Sequence, residues 1–182
     1  MKTLIVNAFG GPCCGKTTAC WEIAAELKKR GYVTEYVSEY TKELIYDGKM
    51  YMLDDSMKNQ RIILKNQAHK QDRLLNQVQM VVTDSPLLLS IIYANDRTPE
   101  YTQEILDFYN SHNNFNFVIN RPENQNFEQV GRKQNLEESI QKDKEILQLL
   151  DDFDMKYHIY NRTPISLAYL VEEIEKSYKK LK

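Results

Sequence analysis

Short continuous apolar runs alternate along this chain with longer segments whose apolar residues recur at helical spacing. The first run, Thr3–Phe9, predicts a buried strand. A helical pattern follows from Lys16 to about Arg30 and stops at Gly31, a residue suited to the left-handed conformation that ends helices. Val33–Val37 predicts the second strand, and Tyr40–Tyr46 a short helix ending near Asp47-Gly48. Asp54-Asp55-Ser56 opens a long helix reaching to about Asn76. Gln79–Thr83 predicts the third strand, closing on Asp84. Pro86 suits the first turn of a helix over about Ser85–Ala94. Thr98-Pro99-Glu100 starts another helix to about Asn110, and Phe115–Asn120 predicts the fourth strand. The segment from Arg121 to Asn135 is polar. Beyond it come a helix over about Leu136–Phe153, a fifth strand at Tyr157–Tyr160 and a terminal helix over about Ile165–Tyr178.

Five short strands separated by helical crossovers predict an α/β domain of three layers, a parallel sheet covered on both faces. Ligands of such sheets sit at the carboxyl ends of the strands. Four polar signals fall there: residues 10–17, Ser38-Glu39, Asp84-Ser85 and Asn120-Arg121.

The first of these signals is the most specific. Residues 10–17 read Gly10-Gly11-Pro12-Cys13-Cys14-Gly15-Lys16-Thr17 and satisfy the phosphate-loop pattern G-x-x-x-x-G-K-[ST] at every fixed position. A strand leads in and a helix leads out, so backbone N–H groups and a helix N-terminus converge where a polyphosphate can bind. The expected roles are phosphate binding along Gly10–Thr18, Lys16 reaching the β- and γ-phosphates, and the Thr17 hydroxyl ligating Mg²⁺. This implies a nucleoside triphosphate with Mg²⁺, the motif leaving ATP and GTP both open.

Composition narrows the partner classes. At 182 residues the chain reads as one domain, residues 1–182. Its 24 basic and 26 acidic side chains leave a net charge of −2, so no strong basic field exists to hold a nucleic-acid backbone. Nucleic acid is thereby a disfavoured partner, although a local basic patch stays compatible with the sequence. The three cysteines, Cys13, Cys14 and Cys20, bunch near the start and do not form a disulfide framework, which suits a reducing cytoplasm. The apolar start is too short for a signal peptide, and no run approaches transmembrane length. No membrane partner is expected.

Asp84, closing a strand, can hold Mg²⁺ or contact an acceptor hydroxyl; it can equally cap the next helix. Glu39 can act as a general base or orienting group, or stand as a capping carboxylate. Arg121, and Arg132-Lys133 further along the polar segment, supply cations that can close over a transferring phosphoryl group, and the stretch at about 121–135 reads as a lid. Arg97 and Arg61 are candidate acceptor-site cations. Gln60 and Gln67 share one helical face and can read a base or simply form a solvated face. His69 reads as an exposed helix residue, and the histidines form no zinc pattern with the cysteines. Cys13 and Cys14 read as small residues filling variable loop positions. Tyr36, Tyr40 and Tyr46 cluster after the second strand, where one can stack on an acceptor base or pack in the core.

Taken together, the phosphate loop, the Ser38-Glu39-Tyr40 turn, the Asp54…Gln60…Gln67 helix, the Thr83-Asp84-Ser85-Pro86 strand end and the Arg121…Arg132 segment resemble the ribosylnicotinamide kinase-like P-loop proteins. Members are often labelled AAA family ATPase in phage and bacterial genomes. The resemblance covers nearly the whole chain. It implies the P-loop NTPase fold of nucleoside and nucleotide kinases with sheet order 2-3-1-4-5, ATP–Mg²⁺ as donor and a small hydroxylated acceptor. By position it implies phosphate and metal binding at Lys16 and Thr17, Asp84 and Glu39 facing metal and acceptor, and Arg132 in the lid. The expected activity is transfer of the γ-phosphoryl of ATP to a nucleoside-like or nucleotide acceptor. The alternatives are a kinase acting on a hydroxyl or 5′ end of a polynucleotide, and a nucleotide-dependent switch that binds partners with little turnover. A homodimer is compatible with each of these readings.

Overall fold

β1 (Leu4–Phe9) is buried at all six positions, which places it at the centre of the molecule rather than at an edge. The computed structural model describes residues 1–95, 97–121 and 136–182. Within them, β1, β2 (Thr34–Val37), β3 (Met80–Thr83), β4 (Asn113–Ile119) and β5 (His158–Tyr160) form one parallel sheet in the order β2-β3-β1-β4-β5. The helices are α1 (Lys16–Lys29), α2 (Tyr40–Tyr46), α3 (Met57–Asp72), α4 (Leu89–Tyr93), α5 (Pro99–Asn110), α6 (Leu136–Asp152) and α7 (Pro164–Lys179), with a 3-10 turn at Met50–Met52. No helix among the described residues is long and apolar enough to cross a membrane.

Alternation along β1 divides the core. Leu4, Val6 and Ala8 pack with Cys20, Ile23 and Leu27 of α1 and with Leu170, Val171 and Ile174 of α7. Phe9 points to the other face, among Leu64 of α3, Ile105 of α5 and Ile146 and Leu150 of α6. The expected three-layer arrangement and strand order are both present.

Helix starts follow local chemistry. Ser56 caps α3 by accepting from Asn59 N at 3.4 Å, Thr98 caps α5 from Tyr101 N at 3.3 Å, and Thr163 caps α7 from Ser166 N at 3.1 Å. The last two helices also carry proline in their first turn.

Two expected boundaries move by four residues. The helix expected over Ser85–Ala94 is only Leu89–Tyr93. Leu87, Leu88 and Leu89 are all buried, and a helix that offers one face to the core cannot bury three consecutive side chains. α3 ends at Asp72 instead of about Asn76, because Asn76 turns into the left-handed region (φ 62°) and donates its N–H to Thr3 Oγ1 at 2.9 Å. That turn lets Leu74 and Leu75 pack beside Ile5 and Val81.

The register aligns the strand ends that carry the polar signals. Asn7 of β1 and Val37 of β2 are both level with Thr83 of β3. The loop after Phe9, the turn at Ser38-Glu39 and Asp84 therefore open on one rim of the sheet.

Candidate active site

The phosphate loop turns into α1 at Gly15, which has a left-handed backbone (φ 94°) and provides no side-chain cap. The first N–H groups of α1 are thus left to whatever occupies the loop. Lys16 folds across the loop and donates to the carbonyls of Gly10 and Gly11 at 2.7 and 2.9 Å. Burial works against its charge, but Cys14, Tyr93, Glu39 and Asp84 together hold its pKa above that of an ordinary lysine. Thr18 is exposed. Cys13 and Cys14 are both buried, and Cys14 belongs to the core on the α1 face, as small residues filling the loop should.

The outer wall of the loop is built from α6. Gly11 N donates to Asp143 Oδ1 at 2.5 Å, and Arg121 Nε donates to Asp143 Oδ2 at 2.6 Å. Arg121 also donates to Pro12 O at 2.9 Å and to Ser139 Oγ at 2.8 Å, while Ser139 donates to Pro12 O. A Cβ at Gly11 would stand 2.4 Å from the Ser139 carbonyl oxygen, so only glycine allows this approach. Arg121 touches the loop from the side that α6 covers. Arg132, Lys133 and the lid segment beyond Arg121 lie outside the described residues.

At the inner wall, Asp84 leaves β3 only 1% exposed. Its Oδ2 accepts from Thr17 Oγ1 at 2.5 Å, from the Tyr36 hydroxyl at 2.8 Å and from Lys42 Nζ at 3.4 Å. Its Oδ1 is buried with no hydrogen-bond partner among the described residues. Burial, and next the Asp84 carboxylate, hold the Tyr36 phenol far above its usual range, so it remains a donor. Asp84 caps no helix, since α4 begins five residues later at Leu89.

Glu39 takes the N-cap position of α2 but makes no capping hydrogen bond. Its Oε1 accepts from Thr41 Oγ1, and its Oε2 lies 4.0 Å from Lys42 Nζ. What caps α2 is Gln67 of α3, whose Oε1 accepts from Tyr40 N at 2.8 Å and whose Nε2 donates to Ser38 O at 3.4 Å. Gln60 and Gln67 are both buried, so their shared face is not solvated.

An unsatisfied buried carboxylate oxygen is costly unless something completes its shell. Asp84 beside the Thr17 hydroxyl offers hard oxygen donors, the chemistry Mg²⁺ selects. No group of three His, Cys, Asp or Glu side chains suited to a metal exists among the described residues. One carboxylate and one hydroxyl suit an ion that keeps several waters and borrows phosphate oxygens.

Other candidates are occupied elsewhere. Arg61 lies 3.6 Å from Glu104 and over the Tyr101 ring, and Arg97 donates to Ile91 O at 3.0 Å. His69 is exposed, His112 pairs with Asp72 at 2.9 Å and His158 stacks on Phe115. Tyr46 is exposed, and Tyr36 enters the site through its hydroxyl rather than by stacking on a base. Lys42 was not among the residues expected here. The signal that finds it is its spacing: three positions after Glu39 on a helix, it shares that residue's side.

A phosphate loop after a central strand, a carboxylate closing the neighbouring strand and the order 2-3-1-4-5 define a P-loop NTPase fold of the kinase kind. Residues 5–166 match the family model described as AAA domain, and the chain belongs to that family. No curated protein matches the chain in sequence. Among solved structures, NadR in complex with NR aligns with a TM-score of 0.67 at 16% identity, covering 97% of this chain and 52% of that one. The chain therefore spans about half the length of the NadR chain. Thymidylate kinase from Ehrlichia chaffeensis aligns with a TM-score of 0.62 at 12% identity, covering 97% and 98%. The Mycobacterium tuberculosis APS kinase CysC in complex with AMPPNP and APS gives 0.51 at 12%, covering 98% of each chain. These likenesses concern the fold.

Proposed function

We propose that this protein is a Mg²⁺-dependent kinase that transfers the γ-phosphoryl group of ATP to a nucleoside-like or nucleotide acceptor. The observation that carries the reading is the junction of Thr17 with Asp84, whose second oxygen is buried with no hydrogen-bond partner among the described residues, at the mouth of the phosphate loop.

In this mechanism the loop from Gly10 to Thr18 wraps the phosphates with backbone N–H groups at the start of α1. Lys16 leaves the Gly10 and Gly11 carbonyls and turns its charge to the β- and γ-phosphates. Thr17 and Asp84 would hold the metal, which would supply charge neutralisation on the transferring group. Tyr36 keeps the Asp84 carboxylate aimed. Glu39 orients the acceptor and takes its proton. Arg121 steadies the loop, and Arg132 serves as the lid cation on the strength of its sequence position. Catalysis is then positional and electrostatic.

A hydroxyl acceptor is favoured over a phosphate acceptor. Glu39 is free of capping duty, whereas Arg61 and Arg97, two cations that could serve a monophosphate, contact Glu104 and the Ile91 carbonyl instead. The test is acceptor-dependent ADP release from Mg²⁺-ATP, measured across nucleosides, nucleotides and oligonucleotides. Release stimulated by a nucleoside is the expected result. Release that no acceptor stimulates, despite saturable ATP binding, would instead indicate a nucleotide-dependent switch.

A further inference from the structure

The most unusual side chain at the site is Lys42. Its ammonium donates to Thr17 Oγ1 at 2.8 Å and to Asp84 Oδ2 at 3.4 Å, and it stands 4.0 Å from Glu39 Oε2. The phosphate-loop lysine is elsewhere, on the carbonyls of Gly10 and Gly11. Among the described residues, the cation paired with the buried carboxylate is therefore supplied by α2.

The Thr17 hydroxyl proton goes to Asp84 and one of its two lone pairs accepts from Lys42, so a metal on Thr17 would have to share the oxygen with an ammonium. An ammonium and a divalent ion on the same two side chains would also repel each other beside a carboxylate this buried. Lys42 is placed to yield. Its side chain is 30% exposed while that of Asp84 is 1% exposed, and Glu39 offers a second anion on the same side of α2.

We propose that Lys42 is a positioning cation that occupies the Thr17–Asp84 pair in the nucleotide-free protein and competes with the divalent metal for it. The inference rests on the kinase reading only in taking Thr17 and Asp84 as the metal ligands. Lys42 screens the buried carboxylate without nucleotide, weakens metal binding to the empty enzyme and passes to Glu39 when the metal arrives. Glu39 is then charge-paired at the moment the acceptor site is assembled.

The test uses Mn²⁺ alone, titrated into nucleotide-free protein and followed by electron paramagnetic resonance. Lys42→Met should bind Mn²⁺ at least about tenfold more tightly than wild type, because a repelling charge is removed. Lys42→Arg keeps the charge and should stay near the wild-type affinity. Adding Asp84→Asn to Lys42→Met should abolish the gain. Thermal melting without metal should show Lys42→Met folded, slightly less stable than wild type and more strongly stabilised by Mn²⁺. Equal affinities in wild type and Lys42→Met, with Asp84→Asn weakening both, would overturn the competition and leave the metal site intact. Binding in Lys42→Met that ignores Asp84→Asn, or no saturable binding in Lys42→Met at all, would overturn the proposal through its premise. The acceptor-dependent release assay reports on the kinase reading separately.

Discussion

Thr17 and Asp84, 67 positions apart in the chain, meet hydroxyl to carboxylate at 2.5 Å. The contact exists because β3 lies directly beside β1, with Thr83 level with Asn7. It joins the phosphate loop to the neighbouring strand end at a carboxylate that is only 1% exposed. Replacing Asp84 with Asn keeps the shape and the Thr17 and Tyr36 neighbours while removing the charge. Phosphoryl transfer should fall by roughly two to three orders of magnitude, the range for losing one group that stabilises transition-state charge. Circular dichroism and melting should show the fold retained. A near-normal rate would remove Asp84 from the mechanism.

Glu39 is separable from Asp84 by the same kind of experiment. If it takes the acceptor's proton, Glu39→Gln should lower kcat by about 10²-fold or more while leaving the KM for ATP almost unchanged. Equal kcat in wild type and Glu39→Gln would mean that the residue only orients, or does neither.

Gln67 holds the Ser38-Glu39-Tyr40 turn from behind. Its Oε1 caps the Tyr40 N–H, one of the donors that a helix start leaves open. Gln67→Leu fills the same space without an acceptor and should cost about 1–3 kcal/mol, the penalty for a stranded buried donor. Because Glu39 precedes Tyr40, the variant should also lower kcat at temperatures where it remains folded. Denaturant melts and single-temperature kinetics check both halves.

Alkaline stability follows from the buried tyrosines. Burial pushes the phenols of Tyr101 and Tyr109 up to about 12, and moves Tyr36 and Tyr160 upward as well. These groups bind their protons more tightly folded than unfolded, so stability is complete below about pH 10, the unfolded value. It then declines between pH 10 and 12 as the unfolded state ionises first. A melting temperature that stays level from pH 8 to 9.5 and drops beyond pH 10 is expected. A melting temperature that rises across pH 10–12 would contradict the assignment.

Most of the frame was legible in the residues. The loop at 10–17 declared itself through spacing, and the flanking strand and helix lie where the apolar pattern put them. Asp84 was legible as a strand end, and the short helix α2 matches its expected span, Tyr40–Tyr46. What local pattern could not carry was which ends become neighbours. Tyr36 and Lys42 reach Asp84 only because β2 pairs with β3, and nothing near residue 40 announces a partner at 84. Gln67 read as a surface residue because glutamine usually is one; its burial depends on the turn that α3 covers. The start of α4 was misplaced for a related reason, since three adjacent leucines bury together only when the sheet and α3 are in position. Arg61 and Arg97 carried the right charge for an acceptor site, but Glu104 and the Ile91 carbonyl claimed them.

The central claim is phosphoryl transfer by the phosphate loop to a small acceptor. It is tested most directly by incubating the protein with γ-labelled ATP, Mg²⁺ and separate acceptors: nucleosides, deoxynucleosides, nicotinamide riboside, monophosphates and short oligonucleotides. The account predicts label on one small hydroxylated acceptor, lost in a folded Lys16→Ala variant. Label on no acceptor, or transfer that survives Lys16→Ala, would contradict it.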